Sequence, residues 1–313
     1  MPSTHLRLTV SLILLSLAAP AARADEPPNV LASIKPLHSL AASVMEGAGQ
    51  PALLMRATAS SHTYTLRPSD ARAIERAKIV FWIGPAYESF MAKAVQGVAR
   101  QAHVVEIGKL PDIHLLPVRE GGVWAEHDEA GHDHSSDQSD EMDMHLWLDT
   151  DNAQAIARAM AATLTAADPA HGALYQGNAA KLTERLARLD AELRATLTPA
   201  MGKPYIVFHD AYQYLEQRYG LNPVGSITVT PDRVPGPRRL SELRRAIAER
   251  HALCIFSEPQ FTSSLVATVS NGTGLRSGIL DALGATTVEG MDGYFATMRA
   301  LAGSLVTCLG KAG

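Results

Sequence analysis

The sequence predicts an α/β protein of two similar lobes, each with a mostly parallel sheet, joined by one long linker helix. Three observations carry that reading. Short apolar, β-branched runs alternate with longer helical patterns in the first third of the chain, and the alternation resumes after residue 200. Strands alternating with helices imply βαβ units and parallel pairing. Between the two sets lies an unbroken stretch of helical period, and 313 residues suit two domains at roughly 100–200 residues each.

Residues 1–24 read as a leader rather than as part of either lobe. Arg7 supplies a basic start, residues 8–19 are apolar, and Ala22-Arg23-Ala24 fits a small-x-small cleavage site. The apolar run is about 12 residues, short of the roughly 20 that cross a bilayer, so a secretory signal cleaved after Ala24 is expected and an anchor is not. No later segment is apolar for long enough to span, and no cysteine near the cleavage point could carry a lipid. The mature chain is therefore expected outside the cytoplasm, most simply in a periplasm.

The N-terminal lobe, 25–167, should place strands at 30–34, 79–83 and 104–107, with helices near 37–48, 69–77 and 86–100. Residues 119–143 break the rhythm. They are rich in Asp and Glu, carry His127, His132 and His134, and hold almost no aliphatic core formers, so they read as a loop. Histidines among carboxylates make a weak, multidentate metal collector; a solvated acidic loop with incidental histidines is the other reading.

A linker helix is expected over 168–199, with Asp168 as its cap and Pro169 in its first turn. Leu174, Leu182, Leu186, Leu189 and Leu193 recur as one helical face requires. At about 1.5 Å per residue, about 29 residues make a rod of roughly 43 Å, which restrains hinge closure more than a Gly/Ser linker would. The C-terminal lobe, 200–313, should then hold strands at 206–208, 224–227, 253–256 and 286–288.

Charge narrows the function. Lys and Arg number 28 against 32 Asp and Glu, a formal net charge of −4, and loss of the leader removes two arginines and no acid. No global basic field is offered to nucleic acid or anionic lipid, so neither nucleic-acid binding nor direct membrane insertion is expected. Enzyme signals are poor as well: the chain has no G-x-S-x-G elbow, no H-E-x-x-H helix, no P-loop and no G-x-G-x-x-G after its first strand. Cys254 and Cys308 are the two cysteines. In an oxidising compartment they usually pair, closing a loop worth up to about 4 kcal/mol; two buried free thiols are the alternative.

Histidine is the informative residue. Of the 12 present, three stand in polar or strand-end settings: His62 in Ser-Ser-His-Thr-Tyr, His145 in Asp-Met-His-Leu-Trp, and His209 directly after the apolar run 206–208. In open α/β sheets, ligands gather outside the carboxyl ends of strands. Such separations do not by themselves define a metal site, and a lone histidine is more often structural.

Several motifs, in order along nearly the whole mature chain, carry a resemblance. They are Ser33-Ile34-Lys35-Pro36-Leu37-His38-Ser39-Leu40, His62-x-Tyr64-x-Leu66-Arg67-Pro68-Ser69-Asp70 and Met144-His145-Leu146-Trp147-Leu148-Asp149. Phe208-His209-Asp210-Ala211-Tyr212, Pro231 through Pro235-Gly236, Phe256-Ser257-Glu258-Pro259-Gln260-Phe261 and Leu280-Asp281-Ala282-Leu283-Gly284 follow. Together they resemble the cluster 9 (A-I) solute-binding family of bacterial metal ABC importers, and within it the ZnuA-type periplasmic zinc-binding subgroup. The resemblance implies a metal in the interlobe cleft held by His62, His145 and His209, an acidic loop before the second ligand, a Cys254–Cys308 disulfide, and a structural rather than ligating His38. It implies Zn(II) as the transport substrate, and as partners an inner-membrane ABC permease with its cytoplasmic ATPase, the binding protein itself a monomer.

Manganese members of that family place a carboxylate where His209 stands, and three neutral imidazoles suit Zn(II) where oxygen-rich sets suit Mn(II). Some zinc members carry Glu immediately before the first ligand; here that residue is Ser61. Asp281 aligns with a metal-ligating aspartate of the manganese members, so the fourth position falls to Asp281, directly or from behind another ligand, or to water. The alternatives are another metal on the same fold, a metallochaperone or adhesin role, or a secreted zinc hydrolase with Asp281 or Glu258 as its base.

Overall fold

The computed structural model describes residues 26–56, 58–99, 101–120, 124, 142–228, 235–262 and 264–310. The expected cleavage site and most of 119–143, with His127, His132 and His134, lie outside the described residues.

In the N-terminal lobe, β1 (Val30–Ala32), β2 (Ala52–Leu53), β3 (Ile79–Trp82) and β4 (His103–Glu106) form one sheet, order β2-β1-β3-β4, all parallel. β1 and β3 are buried along their whole length, as continuous apolar runs covered on both faces should be. The covering helices are α1 (Lys35–Val44), α2 (Pro68–Arg76) and α3 (Ser89–Gly97). α1 begins ahead of the expected 37 because Pro36 occupies its first turn, where a missing N–H costs nothing. A two-strand antiparallel stem, β5 (Leu116–Pro117) and β6 (Met142–Asp143), pairs the two ends of the acidic segment.

Two long helices follow, α4 (Thr150–Ala167) and α5 (Gly172–Leu197). Asp149 caps α4 by accepting from the Asp151 N–H. Asp168 and Pro169 open a short 3-10 turn that leads into α5, 26 residues and about 39 Å long at 1.5 Å per residue. Leu182, Leu186, Leu189 and Leu193 are buried as their spacing requires. Leu174 is not: it is 37% exposed, and Tyr175, one residue on, takes the inward position at 0%. The Tyr175 hydroxyl donates to Asp168, so the residue that caps the turn also turns the helix's first apolar position by one.

The C-terminal sheet contains β7 (Pro204–His209), β8 (Asn222–Thr228), β9 (Cys254–Ser257) and β10 (Arg276–Ile279), order β10-β9-β7-β8, again parallel. It packs with α6 (Gln213–Tyr219), α7 (Pro237–Glu249) and α8 (Ser264–Ser270), and α9 (Gly293–Leu309) closes the chain. The fourth strand is Arg276–Ile279 and not the expected 286–288, which lies in turns and bends. An edge strand with Ile279 58% exposed carries no apolar run to betray it. Residues 281–288 instead fold as a turn in which Gly284 adopts φ +68°, where a Cβ would collide with Thr297. Cys254 and Cys308 form a disulfide that ties the start of β9 to the end of α9 across 54 residues.

The main apolar cluster does not respect the lobes. It runs from Val30 and Phe81 through Ile156, Leu186 and Leu193 to Tyr205, Phe256 and Leu305. Helices α1, α4, α5 and α9 pack on one another to form a shared helical layer. Two smaller clusters lie on the outer faces of the two sheets.

Candidate metal centre

Each of the three histidines reaches the seam between the lobes from a different support. His209 is the last residue of β7, at a carboxyl edge, where a strand hands over to a loop and a side chain can leave the sheet plane. His145 follows β6 by two residues and heads the 3-10 turn Leu146–Leu148. His62 stands in the loop between β2 and α2, its N–H donating to the Ser60 hydroxyl. The structure brings the three together: one nitrogen from each lies within 4.8 Å of the other two. His38 is elsewhere, a buried ring bonded to the Pro51 carbonyl, and serves α1.

Two carboxylates fix the rings. Asp143 Oδ1 accepts from His145 Nδ1 at 2.8 Å and from the His145 N–H at 2.9 Å. Glu258 Oε1 meets His209 Nδ1 at 2.6 Å. A donor bond at Nδ1 directs the other nitrogen, Nε2, inward as a lone pair, the arrangement that orients metal-ligating imidazoles. The two Nε2 atoms then face one another at 3.3 Å. With Zn–N bonds of about 2.0–2.1 Å at the tetrahedral angle, two ligand nitrogens stand about 3.3–3.4 Å apart. His62 Nε2, buried, has no hydrogen-bond partner. A donor set of this chemistry, with one pair of nitrogens at that spacing and the third within 4.8 Å, fits a divalent ion that takes nitrogen ligands.

Titration of the rings separates them. Burial, and then the charges on His209 and His145, push His62 down to about 2, so it presents a lone pair at any ordinary pH. Burial also works against a charged His209, but Glu258 outweighs it by attraction and by hydrogen bonding, and the net shift is upward.

Asp281 joins none of this. Its Oδ1 accepts from the Leu283 and Gly284 N–H groups and from Gln260 Nε2, and its Oδ2 accepts from the Ala285 N–H at 2.5 Å. A cavity of about 20 Å³ lies beside the cluster, lined by Ser60, Ser61, Tyr87, Glu258 and Gln260 among others. That is room for about one water molecule. A larger cavity of about 230 Å³ opens on the side of the β5–β6 stem, between Tyr87, Arg119, Asp143 and Asp210. Arg119 bridges Asp210 and Glu216, and burial pushes Asp210 up to about 7 against the pull of that arginine. Tyr87, Asp143 and Tyr214 are parts of the site that residue-by-residue reading passed over; Asp143, two residues before His145, was the one with a local signal.

Two parallel-sheet lobes fixed on a shared helical layer, with three imidazoles converging in their seam, define a two-lobed metal-ion-binding protein. Residues 30–308 match the family model described as zinc-uptake complex component A, periplasmic, and the chain belongs to that family. The high-affinity zinc uptake system protein ZnuA of Brucella suis biovar 1 is 41% identical over 92% of this chain and 93% of its own length. The protein of the same name from Yersinia pestis is 35% identical over 90% and 91%. Among solved structures, ZnuA superposes with TM-score 0.76 at 20% identity, covering 90% of this chain and 99% of that one. FpvC of Pseudomonas aeruginosa, solved with Mn2+, superposes with TM-score 0.75 at 20% identity over 92% and 100%. A ZnuA deletion mutant solved with zinc bound has the same fold, so neighbours of one fold are solved with zinc and with Mn2+, and the fold does not choose between them. The family consists of solute-binding proteins, not enzymes, that work with an ABC transporter.

Proposed function

We propose that this protein captures Zn(II) in the periplasm through His62, His145 and His209 and delivers it to an ABC permease in the inner membrane, driven by a cytoplasmic ATPase. The observation that carries the reading is the convergence of three imidazoles within 4.8 Å, two of them backed by carboxylates and set 3.3 Å apart as two ligands of a tetrahedral zinc would be. The all-nitrogen set is what favours zinc over manganese, since Mn(II) prefers oxygen donors. Zinc-uptake relatives at 41% and 35% identity support the same substrate.

Asp281 we read as support rather than ligand: it holds the 281–285 turn and Gln260, and Gln260 lines the site. The fourth tetrahedral position is then left to water. His127, His132 and His134, which lie in sequence between the two strands of the stem, serve as an auxiliary collector, and residues 1–24 as the leader that exports the chain. No helix among the described residues is long and apolar enough to cross a membrane.

Competition between Zn(II) and Mn(II) on chelator-stripped protein tests the reading, with His209→Ala and with residues 125–141 deleted. The deletion spares Arg119 and Asp143, which hold the site. One tight zinc site, lost with His209 and kept without the loop, is the expected result. Manganese preference, or zinc binding indifferent to His209, would overturn it.

A further inference from the structure

We infer that Tyr214, on the C-terminal lobe's helix α6, is a positioning residue that sets the spacing between the ligands His145 and His209. The inference rests on the reading of the three-histidine cluster as the zinc site. Tyr214 is 1% exposed, and its hydroxyl touches both strands of the β5–β6 stem. It accepts from the Leu116 N–H at 3.0 Å and donates to the Asp143 carbonyl at 2.6 Å. Asp143 is the residue whose carboxylate binds His145 at both its ring and its backbone nitrogen. One hydroxyl from the second lobe therefore holds, through a single residue, the ring orientation of a ligand in the first.

The same unit carries the other ligand. His209 ends β7 and α6 begins at Gln213, so His209 and Tyr214 belong to one strand–helix corner, itself tied by the Ala211 N–H bonding back to the His209 carbonyl. The path from His145 to His209 runs Asp143, Tyr214, α6, β7, and does not pass through the linker helix. Further along α6, Arg218 bonds Asp149, so the segment that carries His145 is held by this helix on both sides of the ligand. A fixed gap of 3.3 Å between Nε2 atoms suits a small tetrahedral ion; a slack one admits larger ions of higher coordination.

The test compares wild type, His209→Ala, Tyr214→Phe and Tyr219→Phe, using Zn(II), Mn(II) and Co(II) as probes. Co(II) reports geometry, because its ligand-field bands are strong in a tetrahedral site and weak in an octahedral one. Wild type should show strong bands and His209→Ala none; failure at this step would sink the zinc-site reading itself. Tyr214→Phe removes one oxygen and keeps the ring. Acting one bond further out than Asp143, it should weaken zinc binding by up to about 10-fold, the low end of the loss typical when a metal ligand's own partner is removed, with weaker Co(II) bands and a narrower zinc-over-manganese ratio. Tyr219→Phe is the control: on the same helix, its hydroxyl bonds Asp190 of α5, so it should lower the metal-free melting temperature without touching the Co(II) spectrum. A wild-type spectrum and zinc affinity in Tyr214→Phe, or equal spectral change in Tyr219→Phe, would overturn the inference. One measurement needs no variant: the Leu116 amide should exchange more slowly in zinc-loaded wild type than in metal-free protein, and equal rates would count against the clamp.

Discussion

At the scale of residues, the proposed site divides tasks within two of its three imidazoles, His145 and His209. In each of these two Nδ1 faces a carboxylate, Asp143 or Glu258, which leaves Nε2 as the nitrogen a metal would take on the proposed reading. The upward shift of His209 has a consequence with a definite sign. In the metal-free protein the charged His209 beside Glu258 adds stability that is fully present below the ordinary histidine value of about 6.5 and is lost as pH rises through the raised value. Zinc requires the uncharged ring, so its binding strengthens over the same rise. Zinc binding near neutral pH should therefore release a proton, seen as a heat of binding that varies with the buffer's ionisation enthalpy. Glu258→Gln should reduce that release and weaken binding by about 10–100-fold; undiminished release in the variant would assign the proton to another group. His62, at about 2, contributes nothing to the pH dependence.

At the scale of elements, strands with apolar runs were legible because burial on both faces demands them: β1, β3, β7 and β9 fall within a residue or two of expectation. Of the four edge strands, β4 and β8 carry β-branched apolar residues and were legible too, whereas Ala52–Leu53 and Arg276–Ile279, short or exposed and bonded on one side only, offer no apolar run to read. The three histidines stood out by their strand-end and polar settings, but their convergence came from the resemblance. Tyr87 and Tyr214 look like ordinary core aromatics in sequence: Tyr87 joins the site by packing edge-on against His62 and His145 of its own lobe, and Tyr214 by its partners Leu116 and Asp143 on the other. The disulfide belongs to this scale too. It clamps β9 at Cys254, the end away from Glu258, so Cys254→Ala/Cys308→Ala should cost up to about 4 kcal/mol of stability by chain entropy. Zinc affinity in that double variant should stay within a few-fold of wild type; a large loss would mean that strain travels along the strand to Glu258.

At the scale of the whole molecule, the seam is a bonded interface rather than an open hinge. Lys35 of α1 donates to the carbonyls of Gly284 and Thr287, and the Tyr294 N–H donates to Ser39. Trp147 Nε1 donates to the Ala282 carbonyl, while the Tyr294 hydroxyl returns a bond to the Trp147 carbonyl. With the apolar core continuous beneath these bonds, the two lobes should melt as one: a single calorimetric transition in the metal-free protein, moved upward as one by zinc according to its concentration over Kd. Two resolved transitions, or a shift confined to one, would show that the lobes unfold separately.

That shared core also bears on how the chain can be divided. A cut in α5 would leave Leu182, Leu186, Leu189 and Leu193 without the neighbours that bury them, on a raw face exposed by whichever half retained them. Neither half, made alone, is a small protein with a lid missing. The sheets are two only in their hydrogen-bond ladders; the apolar layer beneath them is one, and the molecule divides at no point along it.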